Sequence, residues 1–444
     1  MLYFVYKLLI GEKTMEQMKV IVIGAGCRGR DYTRAMLEFP EKFKVVGVAE
    51  PSESLRNNMR DTHNVDEANC FDTWEKILEI PKFADVAIIA TMDDMHLEPA
   101  VKAMEMGYDL LLEKPASTTA QNCAEIYKAS RKYGRKVMVC HVLRYTPYFM
   151  RLKQIIDEGT LGKIVAIEHK EDVGNIHQSH SFVRGNWGNS VRSTPMILQK
   201  CCHDMDILQW LLGKRCSKLQ SFGSLSYFCR ENAPEGSPER CYEGCPVYDT
   251  CLYNSVKLYY DDKDNAWFRW VATKSAGPTD EQVMEALKTT QYGKCVFKCD
   301  NDVVDHQTVN MEFEDKTTVT LTMNAFNKGG RYTHIFGTKG HLYADMGDKN
   351  NENFRFYNFE TGKTEILEAN ITTKGTTIVS GHGGGDQGIV VALYDYINGN
   401  LKEEEVSEIG ISCENHLMSF AAEESRLNGT IIDMDEYRKK YMYE

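Results

Sequence analysis

A glycine-rich turn contains the first residues that could bind a ligand. Residues 19–23 (KVIVI) form a short apolar run, and G-x-G-x-x-G follows at Gly24, Gly26 and Gly29. In that context Gly24 permits a tight turn, Gly26 lets the backbone approach a pyrophosphate, and Gly29 allows a helix to pack closely on the strand. The free N–H groups of the helix N-terminus favour phosphate, so we predict dinucleotide binding rather than a purely structural turn. The other loop residues expected at the cofactor are Cys27 and Arg28.

An acidic residue after the second apolar run bears on which dinucleotide is bound. Residues 44–49 (KVVGVA) end on Glu50, 26 residues after Gly24. A carboxylate at this position can accept hydrogen bonds from both ribose hydroxyls and would repel a 2′-phosphate, so we predict NAD in preference to NADP. Arg28 is the reservation, because its charge could accommodate an additional phosphate.

Lys114 and His203 are residue types that could move a proton from a hydroxyl group. Lys114 lies in Glu113-Lys114-Pro115, directly after a strand-like run, and open α/β sheets bind ligands at the ends of their strands. A lysine in a partly buried pocket can orient or deprotonate a hydroxyl. A histidine can accept that proton as hydride leaves the carbon. The alternatives are a surface lysine in a solvated loop and a histidine with structural hydrogen bonds.

The elements that must position these residues form two groups. Up to about residue 145, short apolar strands alternate with helices, which indicates a doubly wound parallel sheet of the Rossmann type at 15–145. From 146 to 444 the strands are longer and alternate in polarity, which predicts antiparallel pairing in an α+β domain. The clearest of these later strands are at 164–171, 219–228, 303–313, 317–325 and 331–336.

Composition limits the location and the partners of the chain. The net charge of −12 argues against nucleic-acid binding, because such binding depends on Lys and Arg. Residues 1–10 are interrupted by Lys7 and are too short for a membrane helix, so we expect no membrane partner. Residues 1–14 are treated as an extension, either disordered or before the true start. Fourteen cysteines without a compact disulfide spacing fit reduced thiols in a cytoplasmic protein.

Residues 230–286 have few clear periodicities and are expected to be a cysteine-bearing insertion. The C-x3-C-x5-C spacing of Cys241, Cys245 and Cys251 matches no standard zinc or iron–sulfur signature. We expect buried thiols, with a small metal site or a disulfide as open alternatives. The expected chemistry requires no metal.

The glycine-rich turn together with Glu113-Lys114-Pro115 resembles the Gfo/Idh/MocA oxidoreductase family. Two motifs add to the resemblance, namely TMDDMH at 91–96 and HDMD at 203–206 ahead of WLLG. The resemblance is strong in the first half and looser in the second. It implies a Rossmann domain followed by an α+β domain with a large, mostly antiparallel open sheet. It also implies a pocket for sugars or polyols between the domains and a homodimer or tetramer formed through the open sheet.

The resemblance also implies roles for individual residues. Lys114 would hold the reacting hydroxyl near the nicotinamide, with Glu113 and Pro115 fixing its position. Asp93 could instead cap a helix, and Arg144 could instead bridge the domains. The residues implied beside the cofactor are Thr91, Asp93, His96, Glu113 and Arg144.

The chain departs from the family's best-known patterns next to His203. Polyol dehydrogenases of the family have an Asp four residues before this His, where this chain has Gln199. NAD-dependent glycosidases of the family have a Tyr three residues before it, where this chain has Lys200. The proton relay is therefore expected to use Lys114 and His203, aided by Lys200. Weaker predictions of substrate contact are Arg184, Trp187, Lys200, Asp206, His382 and Asp386, of which Asp206 could instead orient His203 and Asp386 could be an N-cap.

These inferences predict an NAD-dependent dehydrogenase that acts on CH–OH groups. It would transfer a hydride between a ring hydroxyl of a sugar, glycoside or polyol and the nicotinamide, giving a keto sugar or keto glycoside. One alternative is an NAD-dependent glycosidase that works by transient oxidation, elimination and re-reduction. The other is a non-enzymatic, nucleotide-bound sensor.

Overall fold

Short runs of β-branched and leucine residues form a six-stranded parallel sheet. The computed structural model describes residues 17–275, 277–348, 352–368 and 381–443. The strand order is β3-β2-β1-β4-β5-β6, so the order reverses between β1 and β4, which is where such sheets bind ligands. The strands are β1 Met18–Ile23, β2 Phe43–Ala49, β3 Cys70–Phe71, β4 Val86–Ile89, β5 Asp109–Leu112 and β6 Val137–Val139.

Both faces of this sheet are buried, which explains why the strands are apolar throughout rather than alternating. Val20, Val22, Val86 and Ile88 are completely inaccessible to solvent. The predicted doubly wound parallel sheet is therefore confirmed. The helices in this part of the sequence are α1 Cys27–Met36, α2 Glu53–His63, α3 Trp74–Glu79, α4 Leu97–Glu105 and α5 Ala120–Tyr133.

The second sheet has nine strands in the order β14-β13-β12-β11-β7-β10-β9-β8-β15. Only β7 and β10 pair in parallel, and the other pairs are antiparallel. Burial alternates along β10 and β12, as the polarity pattern requires. The strands are β7 Ile164–Asp172, β8 Cys216–Ser224, β9 His306–Phe313, β10 Thr318–Asn324, β11 Gly330–Gly337, β12 Gly340–Asp345, β13 Phe354–Asn358, β14 Lys363–Ile366 and β15 Ile432–Asp433.

Local capping explains where several of the later helices begin. Thr146 accepts a hydrogen bond from the Phe149 amide at the start of α6, and proline occupies the first position of that helix. The segment between β7 and α7 is different, because a helical turn at Asn175–His177 continues into a π-helix at Gln178–Arg184. The helices are α6 Pro147–Asp157, α7 Met196–Gln199, α8 Cys202–Leu212, α9 Ala266–Thr273, α10 Asp280–Thr289, α11 Gly385–Ile397, α12 Ile409–Asn428 and α13 Met434–Arg438.

The chain forms two compact units that differ in part from the predicted domains. The first contains the described residues of Met1–Glu113, Ile126–Tyr145 and Thr376–Ile409. The second contains those of Lys114–Glu125, Thr146–Gly375 and Gly410–Glu444. The predicted boundary at 145/146 is therefore one of several, and α11 belongs to the first unit because its apolar side chains enter that core.

The expected insertion lies between β8 and β9 and contributes α9 and α10. Residues 1–14, which were expected to be an extension, lie outside the described residues. Within the described part of the chain, no helix combines the length and apolarity needed to cross a bilayer.

Candidate functional site

The glycine-rich turn leaves open space at one glycine and is tightly packed at the other two. A Cβ on Gly24, whose φ is +94°, would lie 2.4 Å from the Ala90 carbonyl oxygen, and one on Gly29 would lie 2.1 Å from the Gly24 carbonyl oxygen. A Cβ on Gly26 would meet nothing within 4 Å. Gly26 is the N-cap of α1, and no side chain caps this helix end. The turn therefore fits a pyrophosphate close to Gly26 and the α1 N-terminus.

Glu50 holds the glycine-rich turn with its carboxylate. One oxygen accepts the Ala25 amide at 2.8 Å, and the other accepts the Ser52 amide at 2.9 Å. These bonds fix the carboxylate at the end of β2, on the same edge of the sheet as the turn after β1. This is the position at which an acidic residue meets a ribose in such folds.

Arg28 is neutralised by acidic side chains of the first unit. Its Nε donates to Glu113 at 2.9 Å, and its Nη2 donates to Asp386 at 2.7 Å and to the Tyr32 hydroxyl at 2.7 Å. An Asp31 carboxylate oxygen lies 3.1 Å from Nη1. Tyr32 also donates to Glu113 at 2.6 Å, and burial raises its pKa well above the usual value. A guanidinium with three carboxylates around it is poorly suited to bind an additional phosphate.

Two predicted site residues, Glu113 and Asp386, belong to this cluster. Glu113 is nearly buried and anchors α1 to the strand end after β5. Asp386 was predicted either to contact substrate or to cap a helix. It is the second residue of α11, whose N-cap is Gly384, and it pairs with Arg28. It is therefore not the N-cap, and its contact with substrate stays a prediction. The side chain of His382 lies outside the part of the chain that the structure describes.

The TMDDMH loop follows β4 and is held by local hydrogen bonds. The ring nitrogen Nε2 of the buried His96 lies 3.3 Å from the Thr91 carbonyl oxygen. Helix α4 begins at Leu97 with His96 in the N-cap position, and Asp93 starts the short 3-10 turn Asp93–Met95 that precedes it. Arg144 is buried and donates to the Val406 carbonyl at 3.3 Å, a contact within the first unit. Cofactor contact by Thr91, Asp93, His96 and Arg144 remains a prediction.

In the second unit, Lys114 contacts the segment that leads to His203. The Lys114 ammonium donates a hydrogen bond to the Gln199 carbonyl at 3.0 Å. Gln199 is the last residue of α7, and carbonyls at a helix C-terminus attract cations. His203 is the second residue of α8 and is 8% exposed. Lys114 and His203 therefore lie in the same unit, and Lys114 is bonded to the backbone that leads to His203.

A buried ionic network supports this segment from the nine-stranded sheet. Arg331 donates to Asp204 at 2.8 Å and lies 2.7 Å from Glu171. His169 bonds to Asp204 at 3.0 Å through Nε2 and to Thr333 at 2.8 Å through Nδ1. Although burial opposes it, Arg331 and His169 hold the pKa of Asp204 below its usual value. The network fixes the first turn of α8 and with it the backbone of His203.

Lys200 is tied to the same network through Glu171. The Lys200 ammonium lies 3.3 Å from one Glu171 oxygen, and its side chain is 20% exposed. Burial raises the pKa of Glu171, although Arg331 and Lys200 oppose that shift. The side-chain oxygen of Gln199 accepts a hydrogen bond from the Thr194 hydroxyl at 3.2 Å. The backbone carbonyl of the same residue accepts the hydrogen bond from Lys114.

Two predicted substrate ligands have other partners. Arg184 is 1% exposed and donates to the carbonyls of Lys294 and Tyr253 at 2.9 and 2.6 Å. Asp206 is fully buried and accepts a hydrogen bond from Asn415 at 2.9 Å. Both residues therefore have structural partners, and their contact with substrate stays a prediction. Trp187 is partly buried beside Phe182, and its contact with substrate stays a prediction.

Sequence reasoning missed a histidine that holds the Lys114 loop. His416 on α12 is fully buried, and its Nε2 accepts the Ala116 amide at 2.9 Å. Its Nδ1 lies 2.6 Å from the Ser412 carbonyl, so the proton is on Nδ1. Nothing in the local sequence around residue 416 predicts this contact with a residue 300 positions away. The local sequence was equally uninformative about the roles of Glu171 and Arg331, since each is a single charged residue on a strand.

The cysteines of the insertion surround Arg184. Cys241, Cys245, Cys251 and Cys295 line one small cavity together with that residue. All fourteen cysteines are free thiols in the structure. Across the described ranges, no three His, Cys, Asp or Glu side chains are placed to hold a metal ion, so the weak metal candidates gain no support.

Two family models match most of the chain. The Gfo/Idh/MocA model described as an oxidoreductase family with an NAD-binding Rossmann fold matches residues 18–141. Its companion, described as the C-terminal alpha/beta domain of that family, matches residues 153–406. The N-terminal match contains the glycine-rich turn, Glu50 and Lys114, and the C-terminal match contains His203.

Similar proteins include oxidoreductases and a polyol dehydrogenase. The putative oxidoreductase YteT of Bacillus subtilis (strain 168) is 24% identical over 332 residues, which are 73% of this chain and 74% of that protein. Inositol 2-dehydrogenase 2 of Saccharopolyspora erythraea is 24% identical over 209 residues, which are 44% of this chain and only 54% of that protein.

A solved structure shows the same fold. A levoglucosan dehydrogenase in complex with NADH and L-sorbose superposes with a TM-score of 0.68 at 18% identity, over 95% of this chain and 99% of that chain. Neither the glycosidase alternative nor the sensor alternative gains support from these comparisons.

Proposed function

Because the chain belongs to the Gfo/Idh/MocA family of oxidoreductases, we propose that it is a dehydrogenase acting on a CH–OH group. Its substrate is a sugar, glycoside or polyol, and its product is the corresponding keto compound. The observation that carries the proposal is the hydrogen bond from Lys114 to Gln199, four residues before His203. It supports the proposal because it ties Lys114 to the backbone that leads to His203.

The proposed roles follow from the chemistry of the two side chains. Bound NAD would supply the acceptor for the hydride that leaves the carbinol carbon. Lys114 would donate a hydrogen bond to the reacting oxygen and stabilise the negative charge that develops as its proton leaves. His203 would accept that proton, and the network around Asp204 would hold it in place.

NAD is the proposed cofactor because of the charges around the glycine-rich turn. The Glu50 carboxylate is held at the end of β2 by two amides, where it would repel a 2′-phosphate. Arg28, which could have offered the opposite charge, is bonded to Glu113 and Asp386.

The test combines a substrate panel with one variant. Inositols, monosaccharides and glycosides are supplied with NAD or NADP, and reduced cofactor and keto product are measured together. We expect Lys114→Ala to lower kcat/KM by about 10²–10⁴, the range of one acid–base group, while NAD still raises the melting temperature. The control is Lys218→Ala, because Lys218 is 52% exposed. Near-normal turnover by Lys114→Ala would refute the proposed mechanism.

A further inference from the structure

An exposed tryptophan of the insertion packs against the helical segment that follows β7. Trp267, at the start of α9, is 42% exposed. Its indole lies edge-on to His180, with ring centroids 4.7 Å apart, and to His177, with centroids 5.6 Å apart. Its neighbour Phe268 stacks on His180 at 4.0 Å and is buried. The buried stack holds the start of α9 in place while part of the adjacent indole stays open to solvent.

The two histidines in this contact are neutral at physiological pH. Burial, with the positive charge of Lys200 and other groups nearby, lowers the pKa of His177 to about 2. Burial lowers the pKa of His180 to about 3, and Arg184 adds to the effect. A neutral imidazole can both donate and accept a hydrogen bond, which suits the hydroxyls of a neutral ligand.

The same segment contains a polar group without a partner. Gln178 is fully buried, and among the described residues neither of its amide atoms has a hydrogen-bond partner. Buried amides are almost always hydrogen-bonded, so this one needs a buried water, because a sugar at the surface could not reach it. Gln178 is also the first residue of the π-helix, a conformation that is frequent at functional sites.

The charges near His177 are balanced. Lys200, whose charge reaches His177, pairs with Glu171, and Arg331 pairs with both Glu171 and Asp204. Two cations therefore face two carboxylates, so this group of residues has no excess charge that would call for an anionic ligand. Lys200, whose side chain is 20% exposed, can donate to hydroxyls, and the Trp267 indole offers an apolar face.

We propose that Trp267 and His177 form a subsite for a second sugar ring, next to the ring that is oxidised. The inference rests on the proposed function and narrows its substrate class to glycosides and oligosaccharides with two or more rings. The apolar C–H face of the second pyranose stacks on Trp267, and His177 and Lys200 bind its hydroxyls. The insertion between β8 and β9 is then a specificity element.

The test compares one-ring and two-ring substrates in matched variants. Steady-state kinetics with NAD use myo-inositol and glucose against cellobiose and maltose. Trp267→Ala raises KM for the disaccharides up to about 10-fold, the effect of losing one aromatic contact, while kcat and the KM for myo-inositol do not change. Trp267→Phe restores much of the affinity. Tyr242→Ala, which removes another exposed aromatic ring of the insertion, leaves all constants unchanged. Equal effects on one-ring and two-ring substrates would overturn the subsite.

A binding measurement separates this inference from the proposed function. Disaccharide binding quenches the emission of wild-type protein, and the quenching is lost in Trp267→Phe, whether or not NADH forms. If no sugar is oxidised but this quenching is seen, the dehydrogenase proposal fails and the subsite stands. If sugars are oxidised but no disaccharide quenches Trp267, the subsite fails and the dehydrogenase stands.

Discussion

At the scale of single residues, the charge of Arg28 could either bind the 2′-phosphate of NADP or be neutralised by neighbouring carboxylates, and its partners decide between these two. A free guanidinium in the glycine-rich turn would favour NADP. In the structure it is bonded to Glu113, Tyr32 and Asp386, and the last of these lies 358 residues further along the chain. Because Glu113 and Asp386 neutralise Arg28, the Glu50 carboxylate is the charged group that would face a ribose, which supports NAD.

The three glycines of the turn should respond differently to an added methyl group. Gly26→Ala fits the protein without cofactor, because nothing lies within 4 Å of the new Cβ, so stability should change by less than about 1 kcal/mol. The methyl would occupy the pyrophosphate position and weaken NAD binding at least about 10-fold. Gly29→Ala would place its Cβ 2.1 Å from a carbonyl oxygen, costing about 2 kcal/mol or more.

Thermal unfolding with and without NAD measures both effects. Gly26→Ala should keep its melting temperature and lose the NAD-induced shift, whereas Gly29→Ala should melt earlier even without NAD. A Gly26→Ala protein that binds NAD normally would contradict the assigned position of the pyrophosphate.

At the scale of elements, the helical segment 175–184 contains two histidines that are neutral and that pack against the insertion. His177 and His180 pack against α9 through Trp267 and Phe268. The segment therefore links the sheet end after β7 to the insertion. The sequence offered no periodicity for it, because the π-helical turn breaks the 3.6-residue pattern.

The partly buried His177 should make the folded state sensitive to acid. In the unfolded chain its imidazole binds a proton below about pH 6.5, whereas in the folded protein burial keeps it neutral down to a pKa of about 2. The unfolded state thus binds more protons between these values, and the free energy of unfolding falls as pH falls. The expected slope is up to about 1.4 kcal/mol per pH unit for this histidine.

Denaturant unfolding between pH 7 and pH 4 measures this slope. His177→Asn should reduce the pH dependence of the free energy of unfolding by about one proton. The control is His306→Asn, because the His306 side chain is 45% exposed. Identical slopes for wild type and His177→Asn would show that His177 titrates normally.

At the scale of the whole molecule, the first unit is completed by a distant part of the chain. Ile389, Leu393 and Tyr396 of α11 are buried in the same core as strands β1 and β2. Phe43 and Tyr394 meet edge to face at 5.5 Å. The cofactor-binding unit therefore depends on residues that follow the second sheet in sequence.

Truncation of one α11 side chain should weaken the unit that binds NAD. Leu393→Ala removes a fully buried side chain and should cost about 2–5 kcal/mol. In calorimetry it should lower the temperature of the unfolding transition whose midpoint NAD raises. Leu427→Ala, at a side chain that is 66% exposed, should change stability by less than about 0.5 kcal/mol. If Leu393→Ala left the NAD-dependent transition unchanged, α11 would not belong to this unit.

Features set by neighbouring residues could be predicted from the sequence. The parallel strands, the glycine-rich turn and the alternating strands β7, β9 and β10 depend on local patterns of polarity and on backbone freedom. Four strands of the second sheet, β12 to β15, were not predicted. Strand β14 is exposed at every position, so it offers no alternation of burial to detect.

The sequence by itself determined the fold class, the phosphate-binding turn and the two candidate proton carriers, since each depends on residue type and short spacing. Only the tertiary structure decided which partners the charged side chains have. It paired Arg28 with Asp386, buried Arg184 and Asp206, and placed Trp267 against His177. The physical reason is that such contacts join residues tens to hundreds of positions apart, and their choice depends on how the elements pack rather than on local pattern.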